Sequence, residues 1–285
     1  MPDYDQMFEQ FVLSAIAEDI GNGDHSTLST ISADAFGKAQ LKIKEPGVLA
    51  GVSAAGKIFR HFQPDVELEI LKQDGDNMQY GETAFYVSAK IHTILMAERL
   101  VLNTMQRMCG IATLTRTYTR KLEGYHTRIL DTRKTTPNFR LLEKEAVRIG
   151  GGINHRFGLY DMIMLKDNHI DFCGGIEKAI EKAHDYVMRV NPSLNIEIET
   201  RSLADVQKVV VAGKGKVFRI MLDNFAPSDI KGALKIINKE YETEASGGIN
   251  LDNILEYADT GVDFVSVGAL IHQARSLDLS LKAVG

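Results

Sequence analysis

Between Phe36 and Ile91 apolar and polar residues alternate over short runs: Ala39-Gln-Leu-Lys-Ile-Lys44, Val48-Leu-Ala-Gly-Val52, Val66-Glu-Leu-Glu-Ile-Leu71 and Ala84-Phe-Tyr-Val-Ser88. A period of two is the signature of a half-buried strand, and Asp74-Gly75 and Tyr80-Gly81 supply turn chemistry between the runs. With a helix over Ala54–Phe62, this region is expected to be a small, mostly antiparallel α+β fold of about four strands. Before it, Phe8, Phe11, Val12, Ala15 and Ile16 recur at helical spacing and predict an amphipathic helix over Met1–Ile20. After it, two helices are expected, His92–Met108 and Ile111–Leu122, separated by Gly110.

From there the rhythm becomes strand, then helix. Strands are predicted at Thr127–Asp131, Met162–Leu165, Ile196–Glu199, Phe218–Asp223, Glu242–Ser246 and Phe264–Val267. Helices fall between them at Phe139–Ile149, Ile176–Val190, Leu203–Ala212, Pro227–Asn238 and Leu251–Thr260. Repeating βα units imply a parallel sheet covered by helices, here an α/β barrel. The segment Ile111–His272 is shorter than the roughly 250 residues of eight βα units, so six or seven strands, or incomplete closure, are expected. A doubly wound open sheet is the alternative, but no strand runs into G-x-G-x-x-G. The expected domains are 1–110, 111–272, and a tail, 273–285, packing back on the N-terminal domain.

Each barrel strand ends in a polar residue or glycine: Asp131 leading to Arg133 and Lys134, then Lys166, Glu199, Asp223, Ser246-Gly247-Gly248 and Gly268. In an α/β barrel these ends converge on one mouth, where active sites form. Ser-Gly-Gly and Ser-Val267-Gly268 each lead into a helix and can offer backbone N–H groups to a phosphate. His272 lies just beyond and could add a donor or serve as a packing histidine. Glu197 and Glu199 alternate on one strand, and an inward carboxylate in a barrel needs a partner such as Mg²⁺ or a ribose.

The chain has 33 Lys and Arg against 38 Asp and Glu, a net charge of −5, yet Arg133, Lys134, His155, Arg156 and Lys166 fall within a short glycine-interrupted span. A cationic pocket on an acidic protein suits a small anion rather than a nucleic acid. Arg grips carboxylates through its planar fork and Lys serves as a mobile charge for phosphates, so two kinds of anion are expected. Arg140, Lys144 and Arg148, on a helix, are assigned to the surface. No apolar run approaches the roughly 18–20 residues of a membrane span, and the N-terminal run lacks the pattern of a signal peptide. Cys109 and Cys173 have no metal-like spacing and the eight histidines form no zinc motif. A cytoplasmic protein is the default expectation.

Glu98-Arg-Leu-Val-Leu-Asn103, Asp131-Thr-Arg-Lys-Thr-Thr-Pro137, Gly150-Gly-Gly-Ile-Asn-His-Arg156, Met164-Leu-Lys-Asp-Asn-His169, Ile220-Met-Leu-Asp-Asn224 and Ser246-Gly-Gly-Ile249 together resemble the quinolinate phosphoribosyltransferases. The resemblance begins at Glu18-Asp-Ile-Gly21 and covers nearly the whole chain. It implies an N-terminal open-faced α/β sandwich joined to an incomplete six- or seven-stranded parallel α/β barrel. It also implies a reaction: quinolinate and phosphoribosyl pyrophosphate give nicotinate mononucleotide, pyrophosphate and CO₂ with Mg²⁺, a step of NAD biosynthesis. Carried over by motif, Arg133, Lys134, His155 and Arg156 bind quinolinate, and Lys134, Lys166, Glu199 and Asp223 form the catalytic set. Glu199 and Asp223 reach the ribose and its metal, directly or through water. Lys166, Ser246, Gly247, Gly248, Val267, Gly268 and His272 hold the phosphoribosyl group. Arg99 reaches a partner subunit's site, making a homodimer the unit, with further assembly left open. Gly213-Lys-Gly-Lys216 lengthens the stretch between Glu199 and Asp223 beyond the family's compact form, which leaves the choice between Glu197 and Glu199 open.

Two other functions fit a phosphate-binding barrel. A lyase or aldolase would use Lys134 or Lys166 as a Schiff-base nucleophile, which requires a desolvated lysine of lowered pKa. A silent phosphate-binding module would not need Lys, Glu and Asp at separate strand ends.

Overall fold

The computed structural model describes residues 3–284. The first helix runs Tyr4–Asp19, and the Asp3 carboxylate accepts the Asp5 N–H as its N-cap; positions 1 and 2 of the expected helix lie outside the described residues, as does position 285 of the tail. The strands are β1 (Phe36–Ile43), β2 (Gly47–Val48), β3 (Glu67–Ile70), β4 (Asn77–Met78), β5 (Thr83–Lys90), β6 (Arg128–Leu130), β7 (Ile163–Leu165), β8 (Ile196–Thr200), β9 (Arg219–Asp223), β10 (Glu242–Ser246), β11 (Phe264–Ser266) and β12 (Leu279–Val284). Packing divides the chain into two compact units. One holds the residues up to Thr117, Thr135–Gly151 and those from Leu270 onward; the other holds Tyr118–Lys134 and Gly152–Ala269.

The first unit contains a four-stranded antiparallel sheet in the order β12-β1-β5-β3. Four strands were expected here, but one of them comes from the chain's far end: β12 pairs with β1 from Lys38↔Val284 to Ile43↔Leu279. The strand expected over Val48–Val52 is reduced to β2, which pairs with β4 in a separate two-stranded ribbon. Residues 49–51 carry neither strand nor helix, and Val52 opens a helix, Val52–Phe62, where the Asp74 carboxylate accepts the N–H groups of Val52 and Ser53 at 2.8 and 3.1 Å.

The two helices expected on either side of Gly110 are one helix, Ile91–Lys121. Gly110 was read as a break, but its role is close approach. A Cβ at this position would meet the backbone oxygen of Arg275 at 1.8 Å. Close by, Arg107 donates to the carbonyls of Ala274 and Ile271 at 2.5 and 2.8 Å and to Glu143 at 3.0 Å. The surface assignment of Lys144 is corrected as well: on the helix Arg140–Ile149 it is 2% exposed, while Arg148 is exposed.

The second unit carries a six-stranded parallel sheet in the order β6-β11-β10-β9-β8-β7. Strands β7 to β11 lie side by side in sequence order, and the first strand, β6, then pairs with the last. A singly wound sheet whose first strand returns beside its last is the topology of a barrel, not of a doubly wound sheet with its central switch point. Among the described residues no ladder joins β6 to β7, and beyond β6 there is only a parallel bridge, Leu130↔Ile153. The barrel is incomplete. Its outer helices are amphipathic for the usual reason: Ile176–Val190 buries Ile176, Ala179, Ile180 and Val187, and Leu203–Ala212 buries Val206 and Val209 behind the N-cap Ser202. A short helix that periodicity did not predict, Asp167–Cys173, follows β7 directly.

Candidate active site

Parallel register sets which side chains share the inner face of the sheet. Glu197 of β8 pairs with Arg219 of β9, Glu199 with Met221, Met221 with Glu244 of β10, and Asp223 with Ser246. Successive strand residues alternate faces, so Ile196, Ile198 and Thr200 face the helices while Glu197 and Glu199 point inward. At the rim formed by the C-terminal strand ends lie Arg133, Lys134, Lys166, Glu199, Asp223, Ser246, Gly247, Gly248 and Gly268.

Lys166 follows β7 directly and its Nζ lies 3.0 Å from Glu199 Oε2. The His169 imidazole accepts the Lys166 N–H at 3.0 Å and fixes the turn into the following helix, which explains the spacing in Lys-Asp-Asn-His. Burial pushes the Glu199 carboxyl above its ordinary value; Lys166 opposes this and the neighbouring Asp223 adds to it. Glu199 and Asp223 are neighbouring carboxylates, and the lysine at the site is paired to Glu199. The two carboxylates fit a divalent cation that favours hard oxygen ligands.

Asp223 is followed by Asn224, which adopts a left-handed conformation at φ 56° and was not singled out from the sequence. Its N–H donates to Ser246 O at 2.8 Å and its amide donates to Asp223 Oδ2 at 2.7 Å. The amide also explains Gly247, where φ is 102° and a Cβ would meet Asn224 Oδ1 at 2.1 Å. Gly248 is left-handed too, at φ 64°. The Ser-Gly-Gly loop is thus shaped by Asn224. Val267 is corrected as a backbone donor: its N–H is committed to Leu130 O at 3.0 Å and its side chain is buried.

Arg133 and Lys134 are exposed on the loop after β6. Arg156 is half-buried; it donates to Met162 O at 3.1 Å and lies 3.7 Å from the Met164 sulfur. Burial and then Arg133 hold its guanidinium below its ordinary value, with Glu197 and Asp161 pulling the other way. The Asp161 carboxylate gathers the N–H groups of Phe157 and Gly158 at 2.6 and 2.7 Å, closing the loop that carries Arg156.

His155 does not present Nε2 to the rim. Its side chain is 3% exposed, and Nε2 lies 3.0 Å from Glu197 Oε2 and 3.2 Å from Glu244 Oε2. Asp131 Oδ1 accepts the His155 N–H at 2.8 Å. Arg219 completes the cluster, 3.2 Å from Glu244 and 3.7 Å from Glu197, with 2.8 Å to Glu242. Burial works against the imidazolium, but the two carboxylates prevail and raise the His155 pKa to about 9. The Arg156 N–H at 2.7 Å from Nδ1 asks for a lone pair there. The two influences agree on a proton at Nε2 but oppose each other at Nδ1, which the imidazolium would protonate and the Arg156 N–H needs unprotonated. Sequence reading missed Arg219 and Glu244; the period-two charges in Glu242-Thr-Glu244, on a strand of the core sheet, were the available signal.

Arg99 is exposed on the Ile91–Lys121 helix and, among the described residues, forms no ion pair. His272 is exposed at the end of the helix Ala269–His272, in the first packing unit. No helix of the described residues is long and apolar enough to cross a membrane.

Known proteins match this arrangement along nearly its full length. The family model for the quinolinate phosphoribosyl transferase N-terminal domain matches residues 24–109 and that for the C-terminal domain matches 111–282. The chloroplastic carboxylating nicotinate-nucleotide pyrophosphorylase of Arabidopsis thaliana is 42% identical over 294 residues, covering 99% of this chain and 83% of that protein. A probable enzyme of the same name from Bacillus subtilis is 40% identical over 264 residues, 93% of this chain and 89% of that one. The crystal structure of NadC from Streptococcus pyogenes superposes with a TM-score of 0.90 at 37% identity, covering 98% of both chains.

Proposed function

The chain belongs to the quinolinate phosphoribosyltransferase family and carries out its decarboxylating transfer, and from that premise we propose how the strand-end residues divide the work. Arg133, Lys134 and Arg156 bind the two carboxylates of quinolinate. The observation that carries this is the Arg156 guanidinium, half-buried, contacting a carbonyl and a sulfur and destabilised by burial and by Arg133. An anion between these two cations removes that penalty, and Arg's planar fork suits a carboxylate.

Glu199 and Asp223 face the ribose. As the bond from C1′ to pyrophosphate lengthens and the pyridine nitrogen closes on C1′, positive charge grows on the sugar and the two carboxylates stabilise it. They are also the residues that would hold Mg²⁺, which when bound neutralises the departing pyrophosphate. Lys166, held by Glu199, and Lys134 supply positive charge to the same leaving group. The Ser246-Gly247-Gly248 loop and Gly268 take the 5′-phosphate. Once the nitrogen is bonded to ribose, the cationic ring accepts the electron pair left by CO₂, and a proton then fills that carbon. The Lys166 Nζ is already engaged by Glu199, which speaks against the free amine that the Schiff-base alternative needs.

The decisive assay is incubation with quinolinate, phosphoribosyl pyrophosphate and Mg²⁺, with nicotinate mononucleotide detected by mass spectrometry. Nicotinate in place of quinolinate is expected to give almost no product, because a cationic group left unpaired in a closed site costs about 1–3 kcal/mol. Equal turnover of the two acids would overturn the substrate assignment.

The homodimer is part of the same reading, supported by Arg99 being exposed and unpaired among the described residues. If Arg99 completes a partner's site, inactive Arg99→Ala and Lys134→Ala proteins should regain activity when mixed under exchange conditions. Some heterodimers then hold one site with both residues intact. No recovery despite verified heterodimers would remove the shared site. A cytoplasmic setting is supported by the free thiols of Cys109 and Cys173.

A further inference from the structure

Four ionisable side chains, His155, Glu197, Arg219 and Glu244, fill the interior of the parallel sheet, with both glutamates 0% exposed. Aliphatic residues in that space would be at least as stabilising, because desolvating charges costs several kcal/mol per ion before their attraction is counted. Burial and the other glutamate raise the Glu197 carboxyl, while His155, Ser266 and Arg219 hold Glu244 below its ordinary value against burial. His155, Glu197 and Glu244 are grouped closely enough for a metal, their ligand atoms within 4.8 Å of one another. The Arg219 guanidinium already stands at 3.2 and 3.7 Å from the two carboxylates and supplies the positive charge a metal would bring.

His155 links the cluster to Arg156. Glu197 from β8 and Glu244 from β10 hold its Nε2 from two strands, and Asp131 at the end of β6 holds its backbone. The next residue, Arg156, donates its N–H to the ring's Nδ1. We propose that Glu197, Glu244 and Arg219 are positioning residues for quinolinate, acting through His155 to set Arg156. The sheet interior braces one imidazole, and the imidazole fixes the backbone that presents the carboxylate-binding guanidinium. His155 on this view is a strut rather than a ligand through Nε2. The inference rests on the assignment of Arg156 to quinolinate.

Glu244→Gln keeps the shape and removes the charge. It is expected to raise the quinolinate KM about tenfold or more, since small misplacements of a binding group cost up to about 10²-fold, while kcat at saturating quinolinate and the KM for phosphoribosyl pyrophosphate stay within about twofold. A general loss of structure would not produce that split. The second arm is a double-mutant cycle: in a His155→Ala background the Glu244→Gln change should have no further effect on the quinolinate KM, because the path is already cut. Should Glu244→Gln fail to fold, Ser266→Ala, which removes a milder partner of Glu244, takes its place in both arms. An unchanged quinolinate KM in an active variant, equal losses in all three parameters, or additive effects in the cycle would overturn the inference alone. A wild-type protein that does not convert quinolinate would remove the functional reading with it.

Discussion

Glu199→Ala and Asp223→Ala are each expected to lower kcat by about 10²–10³, the usual effect of deleting one electrostatic stabiliser of a transition state, with quinolinate affinity nearly unchanged. The separation follows from position. Both carboxylates sit at the ends of β8 and β9, and Lys166 is ion-paired to Glu199, whereas the cations assigned to quinolinate stand on the loops after β6 and around Arg156. Glu199→Ala also frees Lys166, so its KM for phosphoribosyl pyrophosphate should change more than that of Asp223→Ala. Single-turnover rates and quinolinate titration measure the two effects separately. Full kcat in both variants would show that neither residue faces the ribose.

Gly110→Ala is expected to destabilise the fold by about 3 kcal/mol, the upper end for overpacking a well-filled site. The new methyl would stand 1.8 Å from a backbone oxygen, that of Arg275, which cannot rotate away as a side chain could. Helix propensity alone would predict the opposite sign, because alanine stabilises a helix interior by about 1 kcal/mol over glycine. The sign therefore decides between a glycine kept for proximity and one tolerated in a helix. Urea unfolding of Gly110→Ala, beside Gly232→Ala in the helix Pro227–Ile237, where a Cβ meets only Leu203 side-chain atoms at 3.6 Å, reads it directly. A stabilised Gly110→Ala protein would contradict the packing described above.

Much of the barrel was legible because each βα unit announces itself locally. Strands β6 to β11 lie within one or two residues of their expected bounds, since apolar runs closed by a polar residue or glycine mark both the strand and its functional end. Long-range partners leave no such local mark. The tail is expected to pack on the N-terminal domain, but nothing in Leu279–Val284 says that it adds a strand beside Phe36–Ile43, and nothing around Gly110 says that Arg275 presses on it. The site divides in the same way. Lys166, Glu199 and Asp223 could be picked out as charges at strand ends, whereas Arg219 and Glu244 read as ordinary strand charges until register brings them to His155. Lys144 shows the limit of periodicity on helices, for it is charged and yet buried.

The pairing of β12 with β1 also fixes an order of events as the chain is made. A sheet begun by residues 36–43 receives its outer strand only from residues 279–284, after the whole six-stranded sheet has been synthesised. Until then β1 presents an unpaired edge, the kind of surface that recruits other strands. The closing contact spans nearly the entire sequence, and contacts of such separation form slowly because the intervening loop must first be brought together. The parallel sheet, whose neighbours are mostly close in sequence, can therefore be complete while the first sheet still waits for its last strand.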